Sequence, residues 1–193
     1  MPGALQDVVV AEFACGVAGP YAGKLLAELG AQVIKCEAPG GDRLRFEPPL
    51  VAGESAFFAW MNAAKQFADV PHGSDAEALL LAHADIVVHD LQGPEADAFD
   101  ARARQANPRA IVMSLTPFGR SGPIANWQAT PLVEWALSGF QYIAGDPNRE
   151  PVSLPGFQAE FHAGLHAAVG SLGALWYARE TGAGQAVELS HQE

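Results

Sequence analysis

Cysteine is scarce in this chain: Cys15 and Cys36 are the only two in 193 residues. Two thiols are too few to staple a disulfide-built fold. They fit a reducing compartment or a chance pair equally well. Basic side chains are scarce too, with 11 Lys and Arg against 22 Asp and Glu and a net charge of −11. That balance argues against a broad nucleic-acid surface, because phosphate binding needs clustered cations. A small anion in a local basic pocket stays compatible with it. No apolar run reaches the ~18 residues of a membrane span. The opening MPGALQDVVV has no basic segment followed by an apolar one, so no secretory signal is visible and a cytoplasmic location is expected. There is no internal repeat and no low-complexity segment.

What is present is a chain with 49% hydrophobic residues, enough for a real core, and one domain over 1–193 is expected. Compact β-branched runs at 7–13, 31–37, 85–91, 110–116 and 185–190 read as strands. Between them lie segments with helical periodicity. The first, after the loop ACGVAGPY, has its apolar face on Leu25, Leu26 and Leu29 and is stopped by Gly30. Others are expected at 74–84, with Ser74 as cap, and at 94–107, 131–145 and 157–181. Alternating strands and helices imply an α/β fold, a Rossmann-like, doubly wound and mostly parallel sheet. Segments 38–63 and 117–130 are rich in Gly, Pro and polar residues and read as long loops, where open α/β sheets bind ligands.

Several residues are candidates for chemistry. The loop ACGVAGPY opens a helix whose first N–H groups suit an anion, but its spacing is neither G-x-G-x-x-G nor a P-loop; the alternative is a tight turn only. Lys35, Arg43, Arg45 and Lys65 fall at or after strand ends and read either as one anion pocket or as scattered surface charge. His162 and His166, spaced i and i+4, share a helix face. They lack the H-E-x-x-H order and an evident third ligand, so helix-packed histidines are expected and no metal. Cys15 follows a strand without an identifiable His or Asn partner and reads as a buried thiol. Glu160, near the start of an apolar helix, either complements the positive helix end or takes part in a reaction.

The blocks AGPYAGKLLAELGAQVIKCEAPGGDRLR (18–45), ESAFFAWMNAAKQ (54–66), ADIVVHDL (84–91), NPRAIVMSLTPFGRSGP (107–123), ALSGF (136–140) and ARETGAGQAVELS (178–190) run in order along the chain. Together they resemble the family III CoA-transferases, the group that includes formyl-CoA and carnitine CoA-transferases and the related acyl-CoA racemases. The resemblance implies a Rossmann-like domain that binds coenzyme A as part of an acyl-CoA substrate and moves it to a carboxylic acid. Known members add a small domain and a returning segment, and two such chains interlock as rings. These residues match about half of a usual member, so the resemblance implies either a homo-oligomer or a complementary chain that supplies the other half.

The resemblance also implies roles. A helix beginning D-x-x-x-G-x-x-A supplies the aspartate that attacks the thioester in transferase members, and EFHAGLHA puts Glu160 in its place. Ala18, Gly19 and Tyr21 would line the CoA, and Lys35, Arg43 and Lys65 would face its phosphates. Asp90 and Leu91 stand where the family has an Asn-Phe contact with CoA. Thr130 and Pro131 replace the His-Asp pair of racemase members, which argues against racemisation. Transfer of CoA through an acyl-carboxylate intermediate is the activity implied. The alternative is a catalytically degenerate CoA-binding subunit that complements a second chain.

Overall fold

The computed structural model describes residues 3–192. Six parallel strands make the main sheet: β1 Val9–Glu12, β2 Gln32–Glu37, β5 Gln66–Asp69, β6 Ile86–His89, β7 Ile111–Thr116 and β8 Ala186–Ser190. Their order across the sheet is β5-β2-β1-β6-β7-β8. Counted within this sheet alone, that is the 3-2-1-4-5-6 order of dinucleotide-binding folds, with the order of strands reversing between β1 and β6. The central strands β6 and β7 are buried along their whole length, as β-branched runs without alternation predict. A short antiparallel hairpin, β3 Leu50–Val51 and β4 Glu54–Ser55, stands apart.

Helices cover both faces. On one face α1 (Ala18–Glu28) and α7 (Gln158–Thr181) close a core of small and branched residues around Val10, Val33, Ile86 and Met113. On the other, α3 (Asp75–His83) and α4 (Gly93–Ala106) bury Leu81, Phe99 and Ala103 against Val87 and Val112. Ser74 caps α3 by accepting a hydrogen bond from the Glu77 N–H at 3.2 Å. The buried stripe of α7 is Ala163, Gly164, Ala167, Ala168, Ser171, Ala174, Leu175 and Ala178, and Glu160 sits at its start. Small residues at that period let α7 lie close on α1. Among the described residues no helix is long and apolar enough to cross a membrane.

Two local expectations need correction, and one strand is additional. The helix expected over 131–145 is two pieces, α5 (Pro131–Leu137) and α6 (Phe140–Ile143), because Gly139 takes φ 77° between them. Segment 38–63 is not all loop. It holds a 3₁₀ turn at Arg43–Phe46, the hairpin, and α2 (Ala56–Met61), whose first turn is capped by Ser55 Oγ accepting from the Phe58 N–H at 3.1 Å. Strand β5 had no counterpart in the sequence reading; it is a mostly exposed edge of four residues, without the apolar run that marks a central strand.

Candidate active site

A cavity of about 150 Å³ opens at the carboxyl ends of β1 and β6, at the point where the strand order reverses. Its walls include Cys15 and Ala18–Gly19 after β1, Asp90 and Gln92 after β6, Arg43, Glu160 and His191. Six of the residues singled out in the sequence therefore meet here: Cys15, Ala18, Gly19, Arg43, Asp90 and Glu160.

The loop from β1 to α1 is shaped by its glycines and its anchors. Gly16 takes φ 73°, and a Cβ there would meet the Arg43 guanidinium at 2.9 Å. The Gly16 N–H donates to Asp42 Oδ1 at 3.2 Å, and the Cys15 N–H donates to Asp90 Oδ2 at 2.9 Å. A Cβ on Gly19 would stand 2.2 Å from the Ala14 Cβ, so only glycine lets α1 start this close to the strand end. Among the described residues no side chain caps α1, and the Ala18 and Gly19 N–H groups of its first turn have no intrahelical partner, Pro20 having no N–H. On the far side, His89 Nδ1 accepts from the Leu91 N–H at 3.3 Å, and Nε2 lies 2.9 Å from Asp100 Oδ1. These bonds fix the turn that carries Asp90 and Gln92.

Glu160 lies in the first turn of α7 and is 8% exposed, with Oε2 buried and unpartnered among the described residues. Burial, helped by the Glu134 carboxylate, pushes its carboxyl above the usual range, while a hydrogen bond from its own backbone N–H, and then His191 and Arg43, draw it down. Arg43 is the one Lys or Arg in the cavity wall. Burial also raises the Asp90 carboxyl. Cys15 is exposed, contrary to the expectation of a buried thiol. The residue is open to solvent on one side only: partial enclosure of its sulfur, and next the Asp90 carboxylate, push its thiol to about 11, so it carries little thiolate near neutral pH.

Lys35 and Lys65 do not reach the cavity, which corrects their expected place against phosphates. Lys35 Nζ meets Glu12 Oε1 at 3.2 Å, the Ala14 carbonyl at 3.0 Å and Asp42 Oδ2 at 3.0 Å. Lys65 Nζ meets Glu12 Oε2 at 2.7 Å, the Pro20 carbonyl at 2.7 Å and Asn62 Oδ1 at 2.9 Å. An ammonium has three donors; Lys65 spends all three in hydrogen bonds, and Lys35 spends two and lies in ion contact with Asp42. All three charged side chains, Glu12 included, are fully enclosed. Gly23 makes room for them, since a Cβ there would lie 1.9 Å from Glu12 Oε2. Lys35 thus holds Asp42, and through it the Gly16 loop, and Lys65 closes the same buried floor on the other oxygen of Glu12.

Tyr21 and Leu91 also lie elsewhere. Tyr21 packs edge-on against Phe161, with ring centres 4.9 Å apart, and stacks on Trp60 at 6.2 Å in a separate aromatic cluster. Leu91 packs against the core under α3 and α4. His162 and His166 are exposed, not packed as expected, and His162 Nδ1 lies 2.8 Å from the Gln158 carbonyl. Among the described residues no group of three or more His, Cys, Asp or Glu is arranged to hold a metal. Sequence reasoning missed Glu12 and His191. A carboxylate inside the apolar run DVVVAEF was a signal for the first. His191 carries none, being 31 positions from Glu160.

Residues 5–193 match CoA-transferase family III. The chain is similar to the BbsE subunit of succinyl-CoA:(R)-benzylsuccinate CoA-transferase of Thauera aromatica, 38% identical over 188 residues that cover 91% of this chain and 46% of the relative. It is 32% identical over 201 residues to succinate–glutarate CoA-transferase of Agrobacterium fabrum, with coverages of 96% and 50%. Among solved structures, a CAIB/BAIF family protein from Brucella suis superposes with a TM-score of 0.91 at 29% identity, over 100% of this chain and 54% of that one. The chain spans about half the length of the curated relatives it matches.

Proposed function

The chain belongs to CoA-transferase family III, and we propose that it moves CoA between an acyl-CoA thioester and a carboxylic acid with Glu160 as the acyl-accepting carboxylate. The observation that carries this reading is the position of Glu160. It stands buried at the start of α7, its Oε2 unpartnered among the described residues, in the wall of the switch-point cavity that the start of α1 and the Arg43 guanidinium also line. In the reaction a Glu160 oxygen bonds to the thioester carbonyl carbon and the C–S bond breaks, leaving a mixed anhydride and CoA thiolate. The thiolate then attacks the Glu160 carbonyl, releases the first acid and leaves CoA on the enzyme. The acceptor acid reverses both steps and departs as its CoA ester.

The cavity is too small for a whole CoA; it suits the thioester and the acyl carbons next to it. Helix α1 offers its positive end, and Arg43 its charge, to the anionic oxygen or to phosphate. Asp90 opposes an anion at the other wall, which calls for further cations from a second copy or a complementary chain. Leu165, Val169 and Trp176 expose apolar surface along α7, and we assign that face to the assembly that completes the site. Light scattering is expected to report an oligomer, or a complex with a complementary chain; a sharp monomer at high concentration contradicts this part.

A CoA-binding subunit without turnover is the second reading, favoured by the longer reach of Glu160 compared with the family's aspartate. Exchange of labelled CoA between thioester and free pool, in the assembled protein, tests the two. Glu160→Gln should abolish exchange and leave CoA affinity nearly intact, because the lost contact belongs to the reaction and not to ground-state binding. Equal exchange in the variant removes Glu160 from the chemistry. Absence of exchange in the parent selects the second reading.

A further inference from the structure

One buried ionisable pair borders the Glu160 cavity and has no part in the reading above. His191 follows β8, and its Nδ1 lies 3.1 Å from Glu134 Oε1 on α5. Its backbone N–H donates to the Thr116 carbonyl at 2.9 Å, which ties it to the end of β7. The His191 side chain is 12% exposed and that of Glu134 4%. The second ring nitrogen, Nε2, is buried without a partner among the described residues, as is Glu160 Oε2. His191 and Glu160 line the same cavity.

A carboxylate at Nδ1 keeps a proton on that nitrogen and leaves Nε2 as the basic position of the neutral ring. Glu160, for its part, is held toward its protonated form by burial and by Glu134, and a protonated carboxyl is a poor nucleophile. A base beside it removes that obstacle.

We propose that His191, oriented by Glu134, is a positioning residue for Glu160 that takes up its proton at Nε2 and keeps the carboxylate ionised as it meets the thioester. This rests on the reading of Glu160 as acyl acceptor. It is the arrangement of nucleophile, base and orienting acid, with a carboxylate as nucleophile. The proton moves from the Glu160 carboxyl to Nε2, giving carboxylate and imidazolium. A Glu160 oxygen then bonds to the carbonyl carbon, and the C–S electron pair leaves on the CoA sulfur. No hydrogen bond joins the two side chains in this state, as is common before substrate closes a site. The other ionisable groups facing His191 are Arg43, Asp90 and Cys15 in the shared cavity, and His162 and His166 from α7 on its other side. Arg43 supports the Glu160 anion and Asp90 opposes it.

Carboxyl-¹³C glutamate labelling of the full protein, with the Glu160 resonance assigned through Glu160→Gln, tests the proposal without turnover. In His191→Gln the Glu160 titration midpoint should rise by about one pH unit, the loss of an opposite charge nearby. His162→Gln should leave it in place. An unmoved midpoint in His191→Gln overturns the proposal. Should that variant not fold, Glu134→Gln is read at the His191 ring. The ¹⁵N shifts of its two nitrogens should move from the Nδ1–H tautomer toward a mixture of both once the carboxylate at Nδ1 is gone, and unmoved ring shifts overturn the pair. If the shifts appear in a protein that never exchanges CoA, it is the transferase reading that fails, and the His191–Glu160 coupling stands.

Discussion

Gly164 of α7 lies against the Ala18 carbonyl of α1 so closely that a Cβ on it would stand 2.5 Å from that oxygen and 3.0 Å from the Tyr21 Cβ. The backbone oxygen has no room to yield, so the contact sets how near α7 comes to α1. Four residues earlier, one turn along the same face, is Glu160. Its place beside the α1 N-terminus depends on this approach.

Gly164→Ala should therefore act on stability and on chemistry together. The added methyl forces the helices apart, a cost of about 1–3 kcal/mol for overpacking, read as a lower urea midpoint. A displacement near 1 Å at Glu160 should lower CoA exchange by about a hundredfold. Gly173, whose Cβ would meet nothing, is the control: Gly173→Ala should leave both measurements close to the parent.

The enclosed group of Glu12, Lys35 and Lys65 makes a second prediction. Glu12→Gln leaves two buried ammonium groups without their shared carboxylate and should cost about 3–5 kcal/mol. The pH dependence separates the two lysines. For Lys35, the carboxylates of Glu12 and Asp42 outweigh the burial that would lower it, and it stays charged. Lys65 shares only Glu12, and burial brings it down to about 8 from an ordinary 10.5. Below pH 8 both folded and unfolded chains carry the Lys65 proton, and the cost of burying the charge is fully present. Between 8 and 10.5 the folded state sheds that proton first, so the unfolded state binds more protons and stability rises with pH. The stability difference between parent and Lys65→Met should thus move in the parent's favour from pH 8 to pH 10, in paired urea titrations. A difference independent of pH contradicts the assignment.

Arg43 makes a third. It is the cation of the cavity wall and is exposed, so its removal should not disturb packing. Arg43→Ala should weaken CoA binding about tenfold, the ~1.4 kcal/mol expected from one lost charge-assisted contact, with the thermal midpoint of the free protein unchanged. In the parent, millimolar CoA should raise that midpoint by binding the native state, and NAD should not. Equal CoA affinity in parent and variant places the phosphates elsewhere.

The sheet was legible because its strands announce themselves: DIVVHDL and AIVMSLT are apolar runs between helical patterns, and both became central strands. The broken helix at Gly139 was not, since PLVEWALSGFQYIAG has helical spacing throughout and only the glycine's positive φ separates the two pieces. Within the site, residues tied to a local pattern were found: Gly19 in a tight turn, Glu160 in a helix start. The roles of residues defined by pairing between distant segments were not. Glu12 and Lys35 are register partners across β1 and β2, and a register cannot be read until the order of strands is known. The same holds for Lys65, which reaches Glu12 from 53 positions away, and for His191, which meets Glu134 across 57. Lysines at strand ends look alike in sequence whether they face a ligand or close a buried ion pair.

The central claim is that the Glu160 carboxyl itself carries acyl and CoA groups. Trapping tests it most directly. The assembled protein is mixed with an acyl-CoA, quenched with hydroxylamine, digested, and the peptide spanning Glu160 is examined by mass spectrometry. A hydroxamate on Glu160, absent without acyl-CoA and absent from Glu160→Gln, is the predicted result. A protein that exchanges CoA while Glu160 stays unmodified, or that carries the hydroxamate on another carboxyl, contradicts the account.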